Sequence, residues 1–324
     1  MSPDATLGRV VRVDRGECDV VTSEHRVRAL SDSTRSQDAV APVTGDWVEI
    51  EHEEGLGFVI SNVLPRHTKV SRRDPAERDL EQVLASNIDV VGVVHGIDRA
   101  LPPGRLERLL VLARDSGGDA LVILTKNDLP HRHGLRTVAE SVAGTTPVIS
   151  TSTSDGSGLD ELRSYIGYGR VLALVGASGV GKSSLVNALV GHELLETGEV
   201  RGDAKGRHVT TARELVLLPG RSGMVLDTPG IRSIGLWEAE RALDEVFGDL
   251  QDLATECRFG DCSHGGEPGC AIVSAVDRGA IDRLRVERFK AMSEELAGQR
   301  EREEKRARRN DKDGGRRSRR RRRG

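Results

Sequence analysis

The chain has 324 residues, 37% hydrophobic but only 2% aromatic, and a formal net charge of −3. That length predicts two or three domains whose cores are built from Val, Leu, Ile and Ala. No apolar run approaches the roughly 20 residues that span a bilayer and no signal peptide follows Met1, so membrane-embedded and secreted classes are excluded and a cytoplasmic protein is expected.

The charge is unevenly placed. Residues 305–324 hold 12 Lys/Arg against 2 Asp, so a tail of +10 follows a body of −13. A block this charged predicts a disordered basic segment over 299–324 that contacts phosphates. Three of the four cysteines cluster beside a histidine, which fits metal ligation in a reducing compartment better than disulfides.

Residues 1–65 read as five short strands (8–13, 17–21, 26–30, 46–50 and 57–60) separated by Gly, Asp and Ser turns. Five strands in so short a span match a small β-barrel of the OB-fold kind. Arg9, Arg12, Arg26, Arg28 and Arg35 would suit a nucleic-acid face. Few aromatics accompany them for base stacking, so a barrel that binds protein, or nothing, is equally open. Cys18, inside a strand, reads as a buried core thiol.

Residues 66–236 alternate strand and helix. Strands at 87–94, 120–124 and 147–149 are apolar on both faces, and 104–116 carries Leu106, Leu109, Leu110 and Leu112 at helical spacing. This predicts a parallel sheet covered by helices. At the end of the second strand, Thr125-Lys126-Asn127-Asp128 fits the [NT]KxD pattern. An Asp there accepts hydrogen bonds from the N1–H and the N2 amine of guanine, a pair that adenine lacks. The Lys126 stem packs over the base, and Thr125, in place of the usual Asn, predicts a weaker tether to neighbouring loops. Ser150 and Thr151, opening the Ser150-Thr151-Ser152 loop after the third strand, can supply a backbone N–H to guanine O6.

A further strand, 171–175, runs into Gly176-Ala177-Ser178-Gly179-Val180-Gly181-Lys182-Ser183-Ser184 and then an apolar helix. Strand, GxxxxGKS and helix in this order form a phosphate-binding loop. Its backbone N–H groups and the helix dipole cradle phosphate oxygens. Lys182 reaches the β- and γ-oxygens and neutralises charge developing in the reaction, and the Ser183 hydroxyl ligates Mg²⁺. The polar, glycine-rich segment 197–213 is placed where a switch loop with an Mg²⁺-ligating Thr belongs, with Thr210 and Thr211 both candidates. Residues 224–230 are a strand ending in Asp227-Thr228-Pro229-Gly230. Asp227 would hold Mg²⁺ through water, and the Gly230 N–H would meet the γ-phosphate.

The order of these motifs is inverted, with base recognition ahead of phosphate binding. The sheet stays intact if the chain is circularly permuted, strand 87–94 taking the place of the strand that ordinarily follows DTPG. The DTPG segment then leads into the C-terminal region. There, Cys257-x4-Cys262-x-His264-x5-Cys270 has the spacing of a closed, structural tetrahedral zinc site. Glu267-Pro268-Gly269 makes the tight return to the last ligand. The zinc region and an amphipathic helix over 280–296 give a helical domain at 237–298.

Gly45-Asp46-Trp47-Val48, the phosphate loop, Gly206-Arg207-His208-Val209-Thr210-Thr211, the DTPG turn and the Cys257–Cys270 spacing together resemble the ribosome small subunit-dependent GTPase A family (RsgA, also called YjeQ or YloQ) over about residues 5–298. The resemblance implies an OB-fold barrel, a permuted α/β GTPase domain and an α-helical zinc domain. It implies a cytoplasmic enzyme that hydrolyses GTP with Mg²⁺, holds one structural Zn²⁺, and acts in late maturation of the small ribosomal subunit. Binding of rRNA and stimulation by that subunit follow from it, and a monomer is expected. Val209 stands where the family has the first Thr of its switch, leaving Thr210 and Thr211 in place. The residue after DxxG is Ile231 and not a water-orienting Gln, so His208, which matches the family's switch histidine, is the catalytic candidate for orienting water. The competing reading is a GTP-switched RNA-binding module acting on a different RNA or ribonucleoprotein, with incidental hydrolysis.

Overall fold

Cys18 and Val20, Val27 and Ala29, and Val48 and Ile50 alternate with more polar neighbours, the period that buries one face of a strand, and with Val10 they form one cluster. In the computed structural model, which describes residues 5–31, 40–73, 81–130, 134–192, 214–227 and 239–321, they lie on β1 (Thr6–Val13), β2 (Glu17–Val21), β3 (Arg26–Leu30), β4 (Trp47–Glu53) and β5 (Gly57–Val63). The strands close in the order β1-β2-β3-β5-β4 and back to β1, with β3 and β5 parallel and the other pairs antiparallel. This is the expected OB-like barrel, and Cys18 is fully buried in it.

The barrel's arginines do not form a free basic face. Arg28 pairs with Asp14, Glu17 and Asp19 at 2.8–2.9 Å. Arg26 pairs with Asp19 at 2.7 Å, and Arg12 with Asp14 at 3.4 Å. Arg9 donates to the Asn87 carbonyl at 3.0 Å and lies over the Trp47 ring. Arg35 falls outside the described residues. Each exposed pair adds little stability, and Arg9, Arg12, Arg26 and Arg28 are all engaged, while Arg15, in the turn after β1, is exposed with no ion pair among the described residues.

The chain divides into two compact units, Met1–Arg72 with Gln82–Gly235, and Arg73–Glu81 with Leu236–Gly324. Strands β6 (Lys69–Arg73) and β7 (Glu81–Ser86) pair in a two-stranded sheet; three of the five β6 residues are charged, which hides that strand from the apolar pattern. The Gly45-Asp46 turn clasps this segment. A Cβ at Gly45, where φ is +97°, would sit 2.1 Å from the Ser86 carbonyl oxygen, so glycine is required. Asp46, with no exposed surface, accepts from the Val43 N–H (2.8 Å), from Arg66 (2.8 Å to each carboxylate oxygen) and from the Ser86 hydroxyl (2.5 Å). Asp46→Ala should therefore cost about 3 kcal/mol, since it strands a largely buried guanidinium; thermal denaturation of the variant, compared with Asp46→Asn, reads the loss.

The α/β part follows with β8 (Val90–Gly96), α1 (Pro103–Asp115), β9 (Asp119–Thr125), α2 (Leu135–Ala143), β10 (Val148–Ser150), α3 (Leu159–Ile166), β11 (Val171–Val175), α4 (Lys182–Val190), β12 (Glu214–Leu217) and β13 (Met224–Asp227). The sheet runs β10-β9-β8-β11-β13-β12, all parallel except β12. Strand β8 lies between the phosphate-loop strand β11 and the base-recognition strand β9, as the permutation predicts, and β8 and β11 are buried along their whole length. Helices α3 and α4 cover the core of Leu121, Leu172, Leu174, Leu185 and Leu189. The edge strand β12 meets barrel strand β1 at Arg12 and Glu214, which makes one continuous 11-stranded sheet.

The second unit holds α5 (Glu240–Val246), α6 (Gly248–Ala254), α7 (Ala271–Asp277) and α8 (Arg283–Arg321). Phe247, fully buried, packs against Phe289, and Arg285 lies 4.6 Å from the Phe247 ring centre while binding Asp249 through both carboxylate oxygens. The expected helix over 280–296 begins at Arg283. The tail expected to be disordered continues it to Arg321. Composition argues against an independent fold, but a helix already nucleated by packed turns extends readily through the Glu, Lys, Arg and Ala of residues 297–309.

Candidate nucleotide site and metal centre

Strands β8, β9, β10, β11 and β13 are parallel, so their C-terminal ends share one edge of the sheet, where open α/β sheets bind ligands. The phosphate loop, the Thr125–Asp128 turn, the loop after Ser150 and Asp227 all lie at this edge. Gly181, with φ +96°, turns the loop into α4, whose first turn carries Lys182, Ser183 and Ser184. Ser183 is exposed there. Lys182 Nζ bends back over the loop and donates to the carbonyls of Gly176 (2.9 Å) and Ala177 (2.6 Å). Phosphate oxygens, which carry full charge, outcompete these carbonyls for the ammonium.

The base-recognition turn is built in advance. Ser152 Oγ donates to one Asp128 carboxylate oxygen at 2.7 Å, and Ser154 Oγ to the other at 3.1 Å. Ser152 Oγ in turn accepts from the Ser154 N–H at 3.1 Å, so its proton is directed at Asp128. The Ser152 bond foremost holds the Asp128 carboxyl below the usual carboxylate range. It therefore stays ionised, an acceptor on both oxygens. Thr125 does not leave the turn loose, as its replacement of Asn had suggested. Its hydroxyl, fully surrounded by protein, reaches the Val180 carbonyl of the phosphate loop as well as the His95 carbonyl. Lys126, with φ +63°, reaches the Gly179 carbonyl at 3.1 Å and Asp98 at 2.8 Å. Asn127 is exposed and is bound by its N–H to the Thr151 carbonyl.

Two expected base contacts do not reach the base turn. Ser150 Oγ is taken by Arg136 at 3.1 Å. Thr151 is fully buried and its N–H donates to the Leu124 carbonyl at 2.7 Å, which makes it a brace between strand and loop. The hydroxyls that face Asp128 are those of Ser152, the last residue of the expected loop, and Ser154 beyond it, and the Thr153 N–H between them has no partner among the described residues. Of the Mg²⁺ candidates, Ser183 and the backbone of Asp227 are at the shared edge; the Asp227 side chain, His208, Thr210, Thr211 and Gly230 lie outside the described residues.

In the second unit, the ligand atoms of Cys257, Cys262, His264 and Cys270 all lie within 4.8 Å of one another. Cys257 and Cys270 Sγ are 3.9 Å apart, and His264 Nδ1 is 3.6 and 3.5 Å from them. A tetrahedron with Zn–S near 2.3 Å and Zn–N near 2.0 Å has edges of about 3.8 and 3.5 Å, so Cys257, His264 and Cys270 already stand at the spacing of such an ion, with Cys262 Sγ within 4.8 Å of each. The Glu267 carboxylate ties the loop together, accepting from the Ser263 hydroxyl (2.5 Å) and from the N–H groups of Ser263, Gly265 and Gly266 (2.7–3.1 Å). The Ser263 bond chiefly draws its pKa down to about 2. Cys257 Sγ accepts from the Ala271 N–H, a bond that favours its thiolate, and Cys270 Sγ accepts from the Val273 N–H.

The sequence model of the RsgA GTPase family matches residues 63–237. A protein named small ribosomal subunit biogenesis GTPase RsgA from Streptomyces coelicolor is 42% identical over 294 residues, 89% of this chain and 80% of its own. The chain belongs to the RsgA GTPase family. A relative of the same name from Syntrophotalea carbinolica is 39% identical over 308 residues, covering 91% of this chain and 84% of that protein. Among solved structures, YjeQ from Thermotoga maritima superposes with a TM-score of 0.67 at 29% identity, covering 91% of this chain and 99% of that one. YloQ, a circularly permuted GTPase, shares the fold at a TM-score of 0.62 and 21% identity, over 91% of this chain and 96% of that one. As a member of the RsgA family the chain is a GTP hydrolase of permuted strand order, which agrees with the guanine turn and the phosphate loop meeting at one sheet edge.

Proposed function

We propose that this GTPase acts in maturation of the small ribosomal subunit, in the cytoplasm, by binding the subunit's rRNA and hydrolysing GTP in response to it. The observation that carries the nucleotide part is the Asp128 carboxylate, fixed by Ser152 and Ser154 on the same edge as the phosphate loop. The ribosomal part rests on the names that relatives up to 42% identical carry.

In the proposed reaction GTP lies with its base on Asp128 under Lys126 and its phosphates in the loop 176–184. Lys182 moves from the Gly176 and Ala177 carbonyls to the β- and γ-oxygens, where it stabilises charge as the bond to the γ-phosphorus breaks. Ser183, Thr210 or Thr211, and Asp227 would hold Mg²⁺, which when bound would further neutralise the phosphates. His208 orients the attacking water, and the Gly230 N–H contacts the γ-phosphate. Zn²⁺ on Cys257, Cys262, His264 and Cys270 is structural, with no coordination position left for a substrate.

The segment 228–238 connects the DTPG strand to the metal-bearing unit. Loss of the γ-phosphate thus acts on the segment that feeds the second unit. With Ile231 in place of a Gln after DxxG, turnover by the free protein should be slow, and a group supplied in trans can raise it by about 10³–10⁵. GTP turnover measured alone, with purified small subunits and with large subunits should rise at least ~10²-fold with small subunits only. Equal rates in all three would sink the ribosomal coupling.

A further inference from the structure

Arg99, in the turn after β8, lies beside the phosphate loop. Its guanidinium donates to the Ser178 carbonyl at 3.3 Å and the Gly179 carbonyl at 3.0 Å. Lys126 donates to the same Gly179 oxygen at 3.1 Å. Asp98 bridges the two cations, 2.8 Å from Lys126 Nζ and 3.4 Å from Arg99 Nε. The turn is braced from below by His95, whose Nε2 lies 3.4 Å from the Arg99 carbonyl.

A trans peptide unit is planar, with its C=O and N–H pointing in opposite directions. Fixing the carbonyls of Ser178 and Gly179 toward Arg99 therefore fixes the N–H groups of Gly179 and Val180 the other way. Neither N–H has a partner among the described residues; Gly179 is exposed to solvent, whereas Val180 is fully buried, so it is the Val180 amide that water does not reach. Unpaired buried amides are rare unless a ligand satisfies them. A cation on the carbonyl side also polarises the amide, which strengthens the N–H as a donor.

We propose that Arg99 is a positioning residue for the phosphate loop: it anchors the carbonyl side of two peptide units so that the Gly179 and Val180 amides are preset to bind the β-phosphate of a guanine nucleotide. No sequence pattern marks this role. The loop motif fixes its glycines and its lysine, whereas the anchor comes from β8, which the permuted topology places next to β11.

The inference rests on the reading of this loop as a GTP site, and the test separates the two. Binding of GDP and of GMP, which leaves the β-position empty, is measured by calorimetry for the full chain and for Arg99→Ala and Arg99→Lys. The expected result is a GDP Kd raised about tenfold in Arg99→Ala, the scale of one charge-assisted hydrogen bond, with the GMP Kd changed less than twofold. Arg99→Lys, which can reach one carbonyl at a time, should fall between, and it carries the test if Arg99→Ala does not fold. Equal losses for GDP and GMP would make Arg99 a general structural residue and overturn the proposal, as would an unchanged GDP Kd. If the unaltered protein bound no GDP, the functional reading itself would fail.

Discussion

Asp128→Asn should convert the protein from a binder of guanosine nucleotides to one of xanthosine nucleotides. Guanine presents N1–H and an N2 amine, both donors, and the ionised Asp128 accepts both. An amide side chain accepts one and opposes the other with its own NH₂. Losing two hydrogen bonds to a charged group, at about 1.5–3 kcal/mol each, raises the GDP Kd by roughly 10²–10⁴. Xanthine carries a carbonyl in place of the N2 amine, so the new NH₂ donor finds an acceptor. The local network favours one orientation of the amide. Ser152 Oγ accepts from the Ser154 N–H and must donate toward position 128, which draws the amide oxygen to that side. The NH₂ then faces Ser154, whose hydroxyl can turn to accept. Competition binding with GDP and XDP measures the switch. A variant that loses both nucleotides equally, or keeps GDP, would show that Asp128 does not read the base.

The features legible in the sequence are those whose signal is local. Strands β8, β9 and β11 are apolar on both faces because the sheet is covered on both sides, and that pattern survives without knowledge of the partner strands. The same holds for the phosphate loop and the four metal donors, each confined to fewer than 15 residues. What stayed hidden depends on pairing. The barrel arginines looked like a basic face, but Arg28 lies opposite Asp19 across the β2–β3 hairpin, and only that register shows them neutralised. The loop Ser150-Thr151-Ser152 is legible because it follows a strand, but which of its residues faces Asp128 is not. The strand's last pair is Ser150 with Leu124, and the chain must run two residues further before a hydroxyl can face Asp128. Arg99 carries no motif, because its role arises from a carbonyl 80 residues away.

Removal of the metal should dismantle the Cys257–Cys270 loop while leaving nucleotide binding intact. This loop has no helix or strand of its own, and Cys270 is the N-cap of α7, its Sγ accepting the Val273 N–H. Three thiols and an imidazole brought within 4.8 Å have little reason to stay there once the ion is gone. Metal binding in small zinc domains contributes about 10–16 kcal/mol of folding free energy, which exceeds what the surface bonds of Glu267 can supply. A zinc-selective chelator, used with Mg²⁺ kept in excess so that the nucleotide site retains its own ion, should therefore expose the cysteines to thiol reagents, open 257–270 to proteolysis and lower the melting temperature of the second unit. The α/β core is a separate cluster in the first unit, so the GDP Kd should stay within about twofold. Glu267→Gln tests the mechanism from outside the ligand set. It keeps the shape but removes the charge that gathers three backbone N–H groups around His264, and zinc affinity should fall about tenfold, as for other groups that orient metal ligands. Protein purified without zinc that nevertheless protects its cysteines would contradict this account. A chelated protein that loses GDP binding together with its metal would show that the second unit supports the nucleotide site and is not merely attached to it.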